Sequence, residues 1–273
     1  MSPVPRFGLL VVGDEILSGK RADKHMPRVI ELLAACGLAL AWVRFAPDDR
    51  SALTHTLREA LAGRDVVFAC GGIGATPDDH TRQAAASALG VGLQLHPQAR
   101  ELIEARSRQL AALKGHAFEP EHPEHLQRLQ MGEFPQGARI IPNPYNQIPG
   151  FSCTSPSGAT LHAVPGFPVM AWPMIEWLLE QHYAAHFQRG AQGERSVIVY
   201  QGIEAQLTPL MRQIEATHPQ CKVFSLPSVD HPEYGRHLEL GVKGPLQAVQ
   251  AAYADLLAGL RAAAAHLGPE VVR

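Results

Sequence analysis

The sequence predicts an α/β protein with a mostly parallel sheet wrapped by helices, followed by a small α+β unit. Three observations carry this. Over the first ninety residues, short apolar runs alternate with helical patterns: Phe7–Val12, Ala22–Cys36, Leu38–Phe45, Ser51–Leu61, Val66–Cys70 and Asp78–Leu89. That β-α-β-α-β-α order calls for parallel strands joined by crossover helices. Phe7–Val12 and Val66–Cys70 are continuous apolar runs, as strands covered on both faces are. Finally, the polar stretch from Gln188 to Glu194 contains two glycines and divides the chain into a domain at 1–188 and another at 195–273.

Each element has a local cause. Gly37 follows the first helical pattern where a left-handed C-cap is wanted, and Pro47-Asp48-Asp49 supplies a turn and cap before Ser51–Leu61. Pro97–Lys114 reads as a helix rich in Arg, Glu and Gln, with a second helical piece at Glu124–Leu129. A short strand at Ala138–Ile141 runs into Pro142 to Gly150, too rich in proline for regular structure. Phe151–Thr154 and Thr160–Val164 flank Ser155-Pro156-Ser157-Gly158 as a hairpin, and an amphipathic helix follows from Val169 to about Phe187. Past the boundary come a strand at Ser196–Gln201, a helix at Ala205–Thr217, strands at Lys222–Leu226 and His237–Val242, and an alanine-rich helix at Leu246–Leu267, a βαββα unit.

Composition narrows the function classes. Hydrophobic residues make up 46% and charged residues 18% of 273, which suits a globular core and argues against disorder. A net charge of −2 gives no basic field for coating nucleic acid, so no nucleic-acid partner is expected. Phe167 to Leu179 is broken by Pro168, Pro173 and Glu176 and falls short of the roughly 20 residues of a spanning helix, so no membrane partner is expected either. The N-terminal run is too short and too soon acidic for a signal peptide. Cys36, Cys70, Cys153 and Cys221 share no metal-ligand spacing and read as buried thiols of a cytoplasmic protein.

The strongest local signal is Cys70-Gly71-Gly72-Ile73-Gly74-Ala75-Thr76-Pro77-Asp78-Asp79-His80-Thr81. A strand ends, three glycines allow close backbone approach, and Pro77 suits a first helical position, where unpaired amides attract phosphate. Thr76 and Asp79 also match a capping-box spacing, and both roles stay open. Pro77 stands where a third dinucleotide-binding glycine would fall, and Gly13 to Arg21 has the wrong spacing for a P-loop. Asp14 and Glu15 follow the first strand and face the same crevice as Asp78 and Asp79, a mix of carboxylates and amides that suits a phosphate-bearing ligand bridged by a divalent cation. Capping of the first helix, with ion pairs to Lys20 or Arg21, is the alternative for Asp14 and Glu15. His116, His122 and His125, and likewise His231 and His237, read as solvated loop residues. The serines of the hairpin show no G-x-S-x-G.

With GDEILSG at 13–19, NPYNQIPGF at 143–151 and VPGFP at 164–168, the glycine-rich segment resembles the molybdopterin-binding (MoaB/Mog-like) superfamily, and within it the N-terminal part of the CinA type (competence-damage-inducible protein A). The βαββα unit is similar to the KH-like domain of CinA-type proteins. The resemblance implies a three-layer domain that binds a molybdopterin- or nucleotide-like ligand. It assigns the site to Gly71, Gly72, Gly74, Thr81, Pro165 and Gly166 with the acidic residues Asp79 and Glu15; with the neighbouring Gly13, Thr76 and Asn143 as further expected ligand contacts and Asp78 joining Asp79 and Glu15, these acids are the expected catalytic and metal-binding residues. Some CinA-type proteins are metal-dependent pyrophosphatases of ADP-ribose, so a hydrolase using Mg²⁺ or Co²⁺ is one expectation; a non-catalytic pterin or nucleotide binding module of molybdenum cofactor metabolism is the other. A homo-oligomer is also expected. The sequence departs from the family at Asp14, where CinA-type chains carry threonine, at Asp23-Lys24-His25, and at Asn146, where a glycine is usual. It leaves no room for the amidohydrolase domain of full-length CinA, so nicotinamide mononucleotide deamidation is not expected.

Overall fold

The structure is a computed structural model describing residues 4–188, 190 and 192–272. It contains two compact units, Met1–Phe187 and Gln188–Arg273.

The first unit is built on a six-stranded sheet. Strands β1 (Phe7–Val12), β2 (Leu40–Ala46), β3 (Val66–Cys70), β6 (Arg139–Ile141), β7 (Gly150–Thr154) and β8 (Thr160–Val164) lie in the order β2-β1-β3-β8-β7-β6. The first four in that order are parallel, and β7 runs antiparallel to both neighbours. Alternation along each strand sends side chains to two cores. Leu10, Val12, Val67, Ala69, Leu161 and Ala163 pack under α3 (Arg50–Ala60) and α4 (Thr81–Leu89). Phe7, Leu9, Val11, Val66, Phe68 and Cys70 pack under α2 (His25–Ala35) and α7 (Pro168–Leu178). Helix, sheet and helix make the three layers that the resemblance implies.

Boundaries moved where local bonding competed with helix propensity. The region read as a helix from Ala22 begins at His25, behind a separate single turn, α1 (Asp14–Leu17). Asp23 accepts hydrogen bonds from the amides of His25 and Met26 and so fixes that start. The helix expected from Asp78 begins at Thr81, so Pro77 does not occupy a first helical position. A small lobe carries α5 (Pro97–Leu113) and α6 (Pro123–Leu129), closed by an unanticipated pair of strands, β4 (Leu93–Leu95) and β5 (Glu133–Pro135). The last helix of the unit ends at Leu178 and continues as a π turn over Leu179–Tyr183 and a 3-10 turn over Ala184–His186.

The second unit runs β9 (Gln192–Tyr200), α8 (Glu204–Thr217), β10 (Lys222–His231), β11 (Gly235–Pro245), α9 (Leu246–Ala262) and β12 (Leu267–Val272). Its antiparallel sheet has the order β10-β11-β9-β12, and Val197, Val199, Leu238, Leu240 and Val242 pack against Leu207, Ile214, Tyr253, Leu256 and Leu260 of the two helices. The expected βαββα pattern therefore gains a sixth element: α9 stops at Ala262, and the segment after it returns as a strand beside β9. Among the described residues no helix is long and apolar enough to cross a membrane.

Candidate anion-binding edge

Register brings the loops of the first unit together. Val12 lies beside Ala46, Val11 beside Cys70, and Cys70 beside Val164, so the carboxyl ends of β1, β2, β3 and β8 share one edge. The Gly13 amide donates to the Ala46 carbonyl, and the Gly71 amide to the Val164 carbonyl. Pro165-Gly166 passes so close that a Cβ on Gly166 would lie 3.3 Å from the Gly71 Cα. The Gly166 carbonyl sits 3.0 Å from Nε2 of the buried His25. Open α/β sheets bind ligands at such an edge.

The segment from Gly71 to Thr81 has its carbonyls tied down one after another. Thr81 Oγ1 donates to the Gly71 carbonyl (2.9 Å) and the Thr81 amide to that of Gly72 (2.9 Å). Arg82 Nη2 donates to the Gly74 carbonyl (2.6 Å), and Gln127 Nε2 to that of Ala75. In a trans peptide the amide of the next residue points opposite its carbonyl, and the chain has no cis bond among the described residues. The amides of Gly72, Ile73 and Ala75 are therefore each turned away from a tie, and none meets a partner among the described residues. Successive outward amides form a concavity for an anion. Glycine is needed here for two physical reasons: φ is +111° at Gly71 and +67° at Gly72, and a Cβ at Gly72 would lie 2.4 Å from Thr81 Oγ1.

Thr76 and Asp79 pair as their spacing suggests, although away from a helix start. Asp79 Oδ2 accepts from the Thr76 amide (2.8 Å) and hydroxyl (2.5 Å), and the Asp79 amide returns to the Thr76 carbonyl (3.1 Å). The pair closes a turn and delays α4. Its consequence is a correction to the metal-binding expectation. Asp79 faces the turn, whereas Asp78 and Glu15 line a neighbouring cleft of about 710 Å³ with Asp14, Asp48 and Lys20. Among the described residues no three His, Cys, Asp or Glu side chains are grouped as metal ligands, so Asp79, Asp78 and Glu15 do not form the expected carboxylate trio.

That cleft is strongly acidic. Asp14 and Asp48 are cross-linked by reciprocal bonds, the Asp14 amide to Asp48 Oδ2 (2.9 Å) and the Asp48 amide to Asp14 Oδ1 (3.3 Å). Partial burial, together with the charges of Asp14, Glu15 and Asp78, pushes the Asp48 carboxyl above its usual range. No ion pair joins Asp14 or Glu15 to Lys20 or Arg21 among the described residues.

Asn143, expected to touch ligand, is 4% exposed and builds its own loop. Its Nδ2 donates to Asn146 Oδ1 and the Ile148 carbonyl, and its Oδ1 accepts from the Tyr145 amide. Asn146 is thus part of that scaffold. Thr81 is fully buried and acts through the carbonyls it holds. Two histidines are not solvated: His125 is 4% exposed and bonded to Ser107, and His237 is 7% exposed. Ser152 is buried against His162, which is also bonded to Tyr183.

Sequence reasoning missed Asp48, Arg82 and Gln127. Asp48 had a usable signal, since it follows a strand that ends on the ligand edge. Nothing local marks Arg82 or Gln127, which reach the loop only through tertiary contacts.

Comparison with known proteins places these features in a family context. Residues 8–186 match the family model described as a probable molybdopterin binding domain. A protein of Pyrobaculum calidifontis is 28% identical over 256 residues, covering 93% of this chain and 94% of that protein. A CinA-like protein of Anaeromyxobacter sp. (strain K) is 33% identical over 172 residues, which cover 63% of this chain and 40% of the relative. The chain thus spans less than half the length of that relative. The crystal structure of the protein CinA, of unknown function, from Thermoplasma acidophilum aligns with a TM-score of 0.55 and 26% identity over 65% of this chain and 97% of that one.

Proposed function

Because the chain belongs, over residues 8–186, to the family described as a probable molybdopterin binding domain, with CinA-like proteins among its relatives, we propose that its glycine-rich edge binds a small ligand through a phosphate group, of molybdopterin or nucleotide type. The observation that carries this is the run of tied carbonyls at Gly71, Gly72 and Gly74, which leaves the amides of Gly72, Ile73 and Ala75 turned outward without partners among the described residues. Fixed amide dipoles stabilise a phosphate without reorganising when it arrives. Gly13 and Pro165-Gly166 form the walls beside that cradle.

The acidic cleft favours a second, chemical reading: hydrolysis of a phosphoanhydride in an ADP-ribose-like dinucleotide, assisted by a divalent cation such as Mg²⁺ or Co²⁺. Four carboxylates share the cleft, and the Asp48 carboxyl is pushed above its usual range first by burial and then by the charges of Asp14, Glu15 and Asp78. Mg²⁺ is commonly held by one or two carboxylates plus substrate phosphate and water, a regime that needs no three-ligand cage. Glu15, Asp78, Asp14 and Asp48 are the residues that would hold such a cation, which would neutralise charge on the phosphates. Asp79 is replaced in this role and instead keeps the cradle's turn closed.

The test is a panel of AMP, ADP-ribose, flavin adenine dinucleotide and ATP, assayed for binding and for AMP release with Mg²⁺, Co²⁺ or chelator. Saturable binding of the phosphate compounds, weakened in Gly72→Ala, supports the cradle. Metal-dependent AMP release lost in Glu15→Gln supports hydrolysis, and binding without release under every metal condition leaves a binding module and removes the hydrolase.

A further inference from the structure

Arg82 is the second residue of α4 and only 3% exposed. Its Nη2 holds the Gly74 carbonyl, while Nε and Nη1 are buried with no hydrogen-bond partner among the described residues. A buried guanidinium ordinarily meets a carboxylate in a two-pronged pair, because leaving charged donors unpaired costs stability. Among the described residues no carboxylate does so. Asp79 and Glu133 are the acidic groups whose charge reaches it, yet neither is bonded to it, and Asp79 Oδ2 is committed to Thr76. Burial disfavours the charge, but an arginine stays ionised at any working pH.

The position of this charge is specific. The Gly74 carbonyl faces Arg82, so the Ala75 amide points the other way. We propose that Arg82 is the positioning residue of the anion site: it fixes the direction of the Ala75 amide and sets a permanent positive charge behind it, so that the site prefers the dianionic over the monoanionic form of a terminal phosphate. This rests on the phosphate cradle described above. It supplies a reason for keeping a guanidinium buried with unmet donors, since its balancing charge arrives with the ligand.

AMP is a suitable probe, because a phosphate monoester loses its second proton near pH 6. Affinity of the full chain for AMP is measured by calorimetry from pH 5 to pH 8. In the wild type it is expected to rise about tenfold, equivalent to about 1.4 kcal/mol. Arg82→Gln keeps a donor for the Gly74 carbonyl but removes the charge, and its affinity should change less than about twofold over the same range. Arg82→Lys keeps the charge and should keep the slope. Gln127→Ala loses the tie to the Ala75 carbonyl with no change of charge, and should weaken AMP equally at every pH. His80, Asp78, Asp79, Glu15 and Glu133 also surround the turn, and because Asp79 and Glu133 couple to the Arg82 charge, Arg82→Lys, which keeps that charge, is the control for their contribution.

A slope in Arg82→Gln as steep as the wild type's, with affinity lowered uniformly, would make Arg82 a purely structural residue and overturn the proposal while leaving the cradle in place. Failure of the folded wild type to bind AMP at any pH would remove the cradle and the role of Arg82 together. If Arg82→Gln does not fold, as judged by its melting curve, Arg82→Lys decides: a folded lysine variant without the slope contradicts the proposal.

Discussion

At the scale of single residues, the glycine turn separates conformational strain from collision. Gly19 and Gly72 both have left-handed backbones, with φ of +72° and +67°, but a Cβ at Gly19 meets nothing within 4 Å while one at Gly72 strikes Thr81 Oγ1. Gly19→Ala should therefore cost about 1–2 kcal/mol from backbone strain alone, and Gly72→Ala clearly more; denaturant midpoints at matched slopes measure the difference. Equal losses would show that the turn has room to adjust. The acidic cleft yields the opposite sign. The folded-state pKa of Asp48 is raised, so the folded protein holds its proton more tightly than the unfolded chain does, and stability falls as pH rises through that pKa. Asp48→Asn keeps an acceptor for the Asp14 amide and removes the repulsion, so it should raise Tm at pH 7 and leave it nearly unchanged at pH 3.5. A lower Tm at pH 7 would mean the carboxylate is already balanced. His162 behaves in yet another way. Burial pushes its pKa down to about 3, below the 6.5 of the unfolded chain. The unfolded chain then takes up the proton first, and stability, complete above pH 6.5, is lost as pH falls from there toward 3. His162→Gln should flatten that limb of the stability curve; an unchanged limb would place its origin elsewhere.

At the scale of elements, what the sequence made legible was periodicity, and what it hid was competition for backbone bonds. β3 at Val66–Cys70 is read to the residue because its apolar run ends on a glycine that cannot continue the strand. α3 is read to within a residue because Asp49 caps it through the Ala52 amide. The start of α4 was missed because Thr76-x-x-Asp79 is a valid helix-start spacing that here closes a free-standing turn, and only Thr81 reaching back to Gly71 and Gly72 reveals it. β12 was missed for a related reason. Alanine-rich sequence up to Ala265 favours helix, while the strand beyond it is short, contains Gly268 and Pro269, and is defined by pairing with β9. Its role is to cover an edge of the second sheet, which otherwise offers unpaired backbone. Removal of residues 267–273 should lower the melting temperature of the second unit by about 5 °C or more, on the scale of a 1 kcal/mol loss in a domain of this size. A melt indistinguishable from the full chain would make β12 an ornament.

At the scale of the molecule, the family match at residues 8–186 lies within the first unit, and the proposed phosphate cradle belongs entirely to that unit. The glycines of the site were legible because a strand end followed by Gly71-Gly72-x-Gly74 has few structural uses. The division of labour among its acids was not. Adjacent residues Asp78 and Asp79 face different surroundings, one a shared acidic cleft and the other a closed turn, and no spacing distinguishes them. The ties to the Gly71, Gly72 and Gly74 carbonyls come from α4, and that to the Ala75 carbonyl from α6 of the small lobe. The most direct measurement is an NMR titration of the ¹⁵N-labelled protein with AMP, following the amides one by one. Gly72, Ile73 and Ala75 should shift together along one saturation curve, whereas Thr76, whose amide is taken by Asp79, should move less. Shifts confined to other loops, or none at all at these three amides, would contradict an anion site at the glycine turn.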